Sequence, residues 1–295
     1  AINRYWQLIF GAGIVRTPQD FGSQGALPTH PALLDWLAVS FQESGWDVKY
    51  MLKMMVLSAT YRQASVFPDR LQAEDPDNTL FARGPHMRLT AEMIRDQALA
   101  VSGLMVPEIG GPPVKPYQPE GLWQEVSSGG TFTRKYNQGV GEDLYRRSLY
   151  TFWKRIQPPP AMIMLDAARR NQCTVERRQT STPLQALLLL NDPQFVEAAR
   201  LLAARMMAEG GTDPVERIQF GFRLATSRVP AADEIEQLTG LFDDARANFN
   251  RNPNEARKFL HTGSKRSEMS FDEPEWAAYT TVASTLLNLS EAISK

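Results

Sequence analysis

The sequence is poor in the residues that most often announce chemistry. Its 295 residues contain one cysteine, Cys173, and three histidines, His30, His86 and His261. A single cysteine excludes an intrachain disulfide and the paired-cysteine patterns of zinc ribbons and covalently attached c-type haem. None of the histidines belongs to a spacing such as HExxH, which sets two imidazoles on one helix face. No D-x-D-x-D-G loop offers calcium a shell of oxygens. Charge of one sign is not in excess: 32 Lys+Arg stand against 33 Asp+Glu, a formal net charge of -1. That balance argues against non-specific nucleic-acid binding, which needs a basic face. The longest apolar runs, Ala161 to Leu165 and Ala186 to Leu190, fall far short of the ~20 residues that cross a bilayer.

What is present is core material and helix punctuation. Hydrophobic residues make up 43% of the chain and charged residues 22%, a globular profile. Thr29, His30 and Pro31 form a helix entry followed by a stripe of Leu33, Leu34, Leu37 and Phe41 at helical spacing. After Gly45, Asp47 is placed to cap a second helix with Val48, Met51, Leu52, Met55 and Val56 on one face. A third is expected from Thr90 to Gly103. From Thr182 onward a capping or acidic residue is repeatedly followed by proline and an amphipathic run, as at Thr182-Pro183, Asp192-Pro193, Asp213-Pro214, Asn252-Pro253 and Glu273-Pro274. These features predict a mainly α fold: an irregular helical bundle with a Pro/Gly-rich extended middle segment and a short β-sheet. The expected parts are residues 1–105 and 180–295, both helical, and 106–179 between them, packed as one unit. Ser148 to Trp153 has strand composition but could equally continue a helix from Asp143; it is read as a short strand or extended segment. The opening AINRYWQLIFG has no initiator methionine, is already in helical period and reads as a fragment or mature piece.

The densest chemistry lies between Tyr145 and Pro193. Arg146, Arg147, Lys154, Arg155, Arg169, Arg170, Arg177 and Arg178 gather there around Asp166, Glu176, Asp192 and Cys173. A guanidinium keeps its charge and presents a planar fork of donors suited to carboxylates, sulfates and phosphates. Either these arginines bind an anionic ligand or they pair internally and fix the fold. The candidate ligand-binding residues are Arg146, Arg147, Asp166, Arg169, Arg177, Arg178 and His30.

Plainer roles are expected for most single residues. Cys173 reads as a small buried residue and Asp192 as a helix cap. Asp166 is expected to pair with a neighbouring arginine, and His30 to order a helix entry. The methionines Met51, Met54 and Met55 read as core filler. Trp123, near Tyr117, is a candidate stacking platform. Asn288-Leu289-Ser290 matches a glycosylation triplet but is expected inside a helix. No metal site is predicted.

Long stretches resemble one family. NRYWQLIFGAGIVRTPQDFGSQGALPTHPALLDWLA, GWDVKYMLKMMVLSATYRQAS, RLTAEMIRDQALAVSGL, GGPPVKPYQPEGLW, EDLYRRSLYTFWKR, CTVERRQTSTPLQALLLLNDPQFVEAAR and STLLNLSEA are similar to a bacterial, planctomycete-type C-terminal domain of unknown function. That domain is found in exported proteins that also carry a planctomycete cytochrome-c domain. The resemblance implies a periplasmic or envelope location and a haem held only in a separate upstream domain, with no cofactor in this segment. The expected partners are other domains of the same polypeptide, with an envelope protein or polysaccharide beyond them. Ser290 departs from the acidic residue of the family pattern, and no catalytic residue carries over. Two functions stay open. One is a non-catalytic binding or scaffolding module using an Arg-rich segment. The other is an enzyme on anionic or sulfated glycans, with arginine clamps and Asp166 or His30 transferring protons.

Overall fold

A computed structural model describes residues 1–65, 73–125, 135–177, 179–266 and 270–294. The protein is mainly α. Among the described residues there is no sheet, and only isolated bridges interrupt the helices. Packing divides the chain into two compact units: residues 1–88 with Cys173–Glu176, and residues 89–172 with 177–294.

The first unit holds α1 (Ile2–Phe10), α2 (Pro31–Glu43) and α3 (Val48–Leu57). Its core is aromatic. Trp6 stacks on Phe10 at 4.0 Å between centroids, and Phe81 meets Trp6 edge-on at 5.0 Å. Leu37, Phe41, Met51 and Met55 close the core from the expected faces of α2 and α3. Asp47 caps α3 by accepting from the Tyr50 N–H at 3.0 Å. Before α2 the capping position falls on His30 rather than Thr29, whose hydroxyl instead donates to the Ile14 carbonyl.

The second unit is built on α8 (Pro193–Glu209) and α12 (Glu273–Leu287), which pack along each other. Around them lie α4 (Ala91–Val101), α7 (Pro183–Asn191), α9 (Pro214–Thr226), α10 (Ala232–Arg251) and α11 (Pro253–Leu260), with short turns α5 (Leu122–Glu125), α6 (Pro160–Met164) and α13 (Ser290–Ile293). The stripe of Phe195, Ala199, Leu202 and Met206 is buried throughout. Side chains of Thr90, Thr182, Asp192 and Asp213 cap the helices that follow them. At α12 the capping side chain is Asp272, one residue before the predicted Glu273. Asn288 terminates α12 instead of lying within it, and its amide donates to the Ala186 carbonyl.

Among its described residues the middle segment forms no sheet. Ser148–Tyr150 is a 3-10 turn, and only Thr151 onward is extended. Val114 donates to the Tyr150 carbonyl at 2.8 Å and Phe152 to the Val114 carbonyl at 2.7 Å. Further pairing fails for a physical reason: Pro107, Pro112 and Pro113 bring no N–H to a ladder. Part of this Pro/Gly-rich segment, residues 126–134, lies outside the described residues.

Candidate functional site

A proline- and glycine-rich segment leaves many carbonyls without ladder partners, and a buried carbonyl needs a donor. The second unit supplies those donors from arginine. Arg95, on α4 and 3% exposed, donates Nε to Gln194 Oε1, Nη1 to the Arg146 carbonyl and Nη2 to the Leu144 carbonyl, at 2.8–2.9 Å. Burial pushes its guanidinium down to about 10, so it remains charged at neutral pH. Arg146 continues the chain of contacts. Its guanidinium donates to the carbonyls of Glu108, Gly110 and Pro112 and lies 4.1 Å from the Tyr150 ring centroid. The Tyr150 hydroxyl in turn accepts from the Gly110 N–H at 2.8 Å.

A second polar node sits on α8. Glu197 is fully buried and accepts from the hydroxyls of Tyr117 at 2.9 Å and Tyr145 at 3.0 Å, and from the Lys265 N–H at 2.7 Å. Arg200, one turn on, lies 3.7 Å from the same carboxylate and donates to the Lys265 carbonyl at 2.5 Å. The Tyr117 hydroxyl accepts from the Ser264 N–H. Burial raises both tyrosine hydroxyls above their ordinary range, so they stay protonated and donate to the carboxylate. This node fastens the middle segment and the loop after α11 to one helix. Gly263, at φ +90, fits only because it lacks a side chain: a Cβ there would fall 2.3 Å from the Glu197 carboxyl carbon.

The outer face of the same segment is organised differently. Lys154 to Gln157 close a tight turn with Arg155 and Ile156 exposed at its tip. Trp153 donates Nε1–H to the Arg169 carbonyl at 3.0 Å, and the Arg170 guanidinium stacks 4.4 Å above the same indole. Arg170 adopts φ +59. Arg155, Arg169 and Arg170 are exposed, and no carboxylate pairs with them among the described residues.

The residues singled out from sequence are therefore dispersed by role. Arg146 is buried against carbonyls. Arg147, half-exposed, faces Asp96 at 3.6 Å, and Arg177 pairs with Glu92 at 2.8 Å. Asp166 accepts from the Thr180 N–H and hydroxyl and from Gln185 Nε2. Arg169 is exposed, and Arg178 lies outside the described residues. His30 belongs to the first unit, 3.1 Å from the Thr29 hydroxyl and 5.1 Å from the Phe81 ring. Asp192 is the cap expected of it, accepting from the Gln194 N–H. Cys173 overturns its expectation: it is exposed. Trp123 is buried, which removes it as an open platform. No group of three or more His, Cys, Asp or Glu among the described residues is placed to hold a metal.

Sequence reasoning missed Arg95, Glu197, Arg200 and the Trp153–Arg170 stack. The local signal for the buried pair was the i, i+3 spacing of opposite charges, Glu197 and Arg200, on an otherwise alanine-rich helix.

The chain belongs to the PSD1 family of proteins of unknown function (DUF1553), whose model matches residues 1–242. Neither a curated protein nor a solved structure matches it.

Proposed function

We propose that this member of the PSD1 family is a non-catalytic binding and scaffolding module of an exported, multidomain, cytochrome-associated protein. It takes an anionic partner through the outward arginines Arg155, Arg169 and Arg170. The location and the cytochrome context rest on the sequence resemblance alone. The binding role rests on one observation, the stacking of Arg170 on Trp153. Stacking occupies the face of a guanidinium and leaves the N–H edge, which is where carboxylates, sulfates and phosphates bind in bidentate fashion. The indole also fixes the Arg169 backbone through its N–H, so two adjacent cations are presented from an ordered turn. Pre-ordering of this kind lowers the entropy lost on binding.

The test is binding of dextran sulfate and polygalacturonate, with neutral dextran as control, to the protein and to an R169A/R170A variant. The variant is expected to lose about tenfold or more in affinity, from charge-assisted hydrogen bonds worth ~1.5–3 kcal/mol each, while remaining folded. Undiminished, salt-sensitive binding by the variant removes these arginines from the interface. A reducing-end assay on the same polymers addresses the catalytic alternative. Chain cleavage abolished by D166N would replace the binding reading.

A further inference from the structure

We infer that the outward face of α3, in the first unit, is a docking surface for an anionic lipid bilayer. The helix turns Met51 and Met55 into the aromatic core, and Val48, Leu52 and Val56 pack at the margin of that core. At about 100° per residue the opposite side carries Lys49, Tyr50, Lys53 and Leu57. Tyr50 is 50% and Leu57 59% exposed, and both lysines stand in solvent. Neither ammonium pairs with a carboxylate among the described residues. Asp47, the nearest acid in sequence, spends a carboxylate oxygen on the Tyr50 N–H. Trp46 stands beside that cap, one turn before Tyr50. It adopts φ 64, a left-handed conformation that a bulky residue rarely enters, and is 61% exposed. Its N–H donates to the Phe41 carbonyl at 2.9 Å, and its ring meets Phe41 edge-on at 5.1 Å. The indole is thus anchored to the core at Phe41 while most of it stands in solvent, an arrangement that strain maintains only where neighbouring contacts enforce it.

The company of charge identifies the occupant. Indole and phenol rings settle at the boundary between headgroups and acyl chains, apolar body inward and polar edge wet. Lysines beside them lay their stems along the apolar layer and set their ammonium groups among lipid phosphates. Exposed Trp, Tyr and Leu interleaved with two unpaired lysines match an anionic interface in both polarity and charge. At ten residues α3 is too short to cross a bilayer, so the contact is one of lying on the surface. The outward side of α2 supplies the contrast. Its Trp36 and Val39 are as exposed as Tyr50, but Asp35 and Glu43 are exposed on the same helix, and anionic headgroups repel carboxylates. Apolar exposure alone does not single out α3; the cations around it do.

The test is co-sedimentation of the full chain with vesicles of phosphatidylcholine alone, and of phosphatidylcholine and phosphatidylglycerol in equal parts. Binding is expected to the mixed vesicles, falling as sodium chloride rises, with little on phosphatidylcholine alone. K49Q/K53Q is expected to weaken it roughly fivefold per lysine replaced. Its unfolding midpoint is expected to stay nearly unchanged, since both side chains lie in solvent. Brominated lipid is expected to quench an indole signal that W46F removes and W36F retains. Unchanged vesicle binding by K49Q/K53Q overturns the proposal, as does undiminished quenching in W46F. Polyglutamate represents the rival occupant, an acidic polypeptide. Lysine-dependent binding of polyglutamate without binding of vesicles overturns the proposal in favour of a protein partner. R169A/R170A is expected to bind vesicles as the unaltered protein does. Vesicle binding lost there and kept in K49Q/K53Q would move the contact to the outer arginines and overturn it here. Failure of the dextran sulfate assay leaves the vesicle result standing.

Discussion

The inner and outer faces of the middle segment use the same side chain for opposite purposes. Arg146 is 4% exposed and spends its donors on the carbonyls of Glu108, Gly110 and Pro112. Arg170, 24 residues later, sets its guanidinium over the Trp153 ring and is exposed to solvent. The difference follows from the neighbouring backbone. Where prolines deprive a buried stretch of N–H donors, a guanidinium replaces several of them at once. Where the backbone is exposed, water satisfies the carbonyls and the guanidinium edge remains open. An arginine-rich run is therefore not one site, and local backbone supply decides which of its members hold the fold.

Variants of the inner face have the largest expected effects. E197A leaves Tyr117, Tyr145 and the Lys265 N–H without their acceptor, and buried Arg200 without its counter-charge. A loss of ~3–5 kcal/mol in urea unfolding is expected, because a buried cation is stranded. E197Q keeps the shape and is expected to cost ~1–3 kcal/mol. R146A follows at ~2–3 kcal/mol, with faster hydrogen exchange at Gly110. R146K recovers little of this, since a single ammonium cannot span three carbonyls. G263A presses a methyl group into Glu197 from a positive φ and is expected to cost more than ~1 kcal/mol. R169A/R170A, by contrast, is expected to change stability by less than ~0.5 kcal/mol. A double variant as unstable as R146A would erase the distinction between the faces.

The parts of this fold that sequence discloses are those whose causes are local. Asp47, Thr90, Thr182, Asp192 and Asp213 each cap within three residues of themselves, so their helices are readable from spacing alone. The errors at Thr29 and Glu273 are one-residue shifts of the same local signal. The expected strand at Ser148 to Trp153 fails because its partner is proline-rich, a property of a segment more than 30 residues away. The Glu197 node is harder still. Its tyrosines lie 80 and 52 positions back and Lys265 lies 68 ahead, and no spacing rule joins such distances. The candidate site was legible as a concentration of charge, while the assignment of Arg146 inward and Arg170 outward was not. That sorting depends on which carbonyls the chain leaves bare once folded.

The smallest expected effect is the sharpest test of the outer face. Trp153 makes two contributions there: a ring beneath Arg170 and an N–H on the Arg169 carbonyl. W153F keeps an aromatic face, though a weaker one for a cation, and removes the hydrogen bond. If the platform acts by pre-ordering two adjacent arginines, W153F should weaken dextran sulfate binding only a few-fold, on the order of 1 kcal/mol, with the unfolding midpoint nearly unchanged. W153A should weaken it further, towards the level of R169A/R170A. Equal binding by W153F, W153A and the unaltered protein would mean that the arginines act as loose surface charge. The stack would then be a by-product of the turn rather than its purpose. A graded loss, with stability held constant, would establish that the indole orders the cations for an anion and does not merely brace the fold.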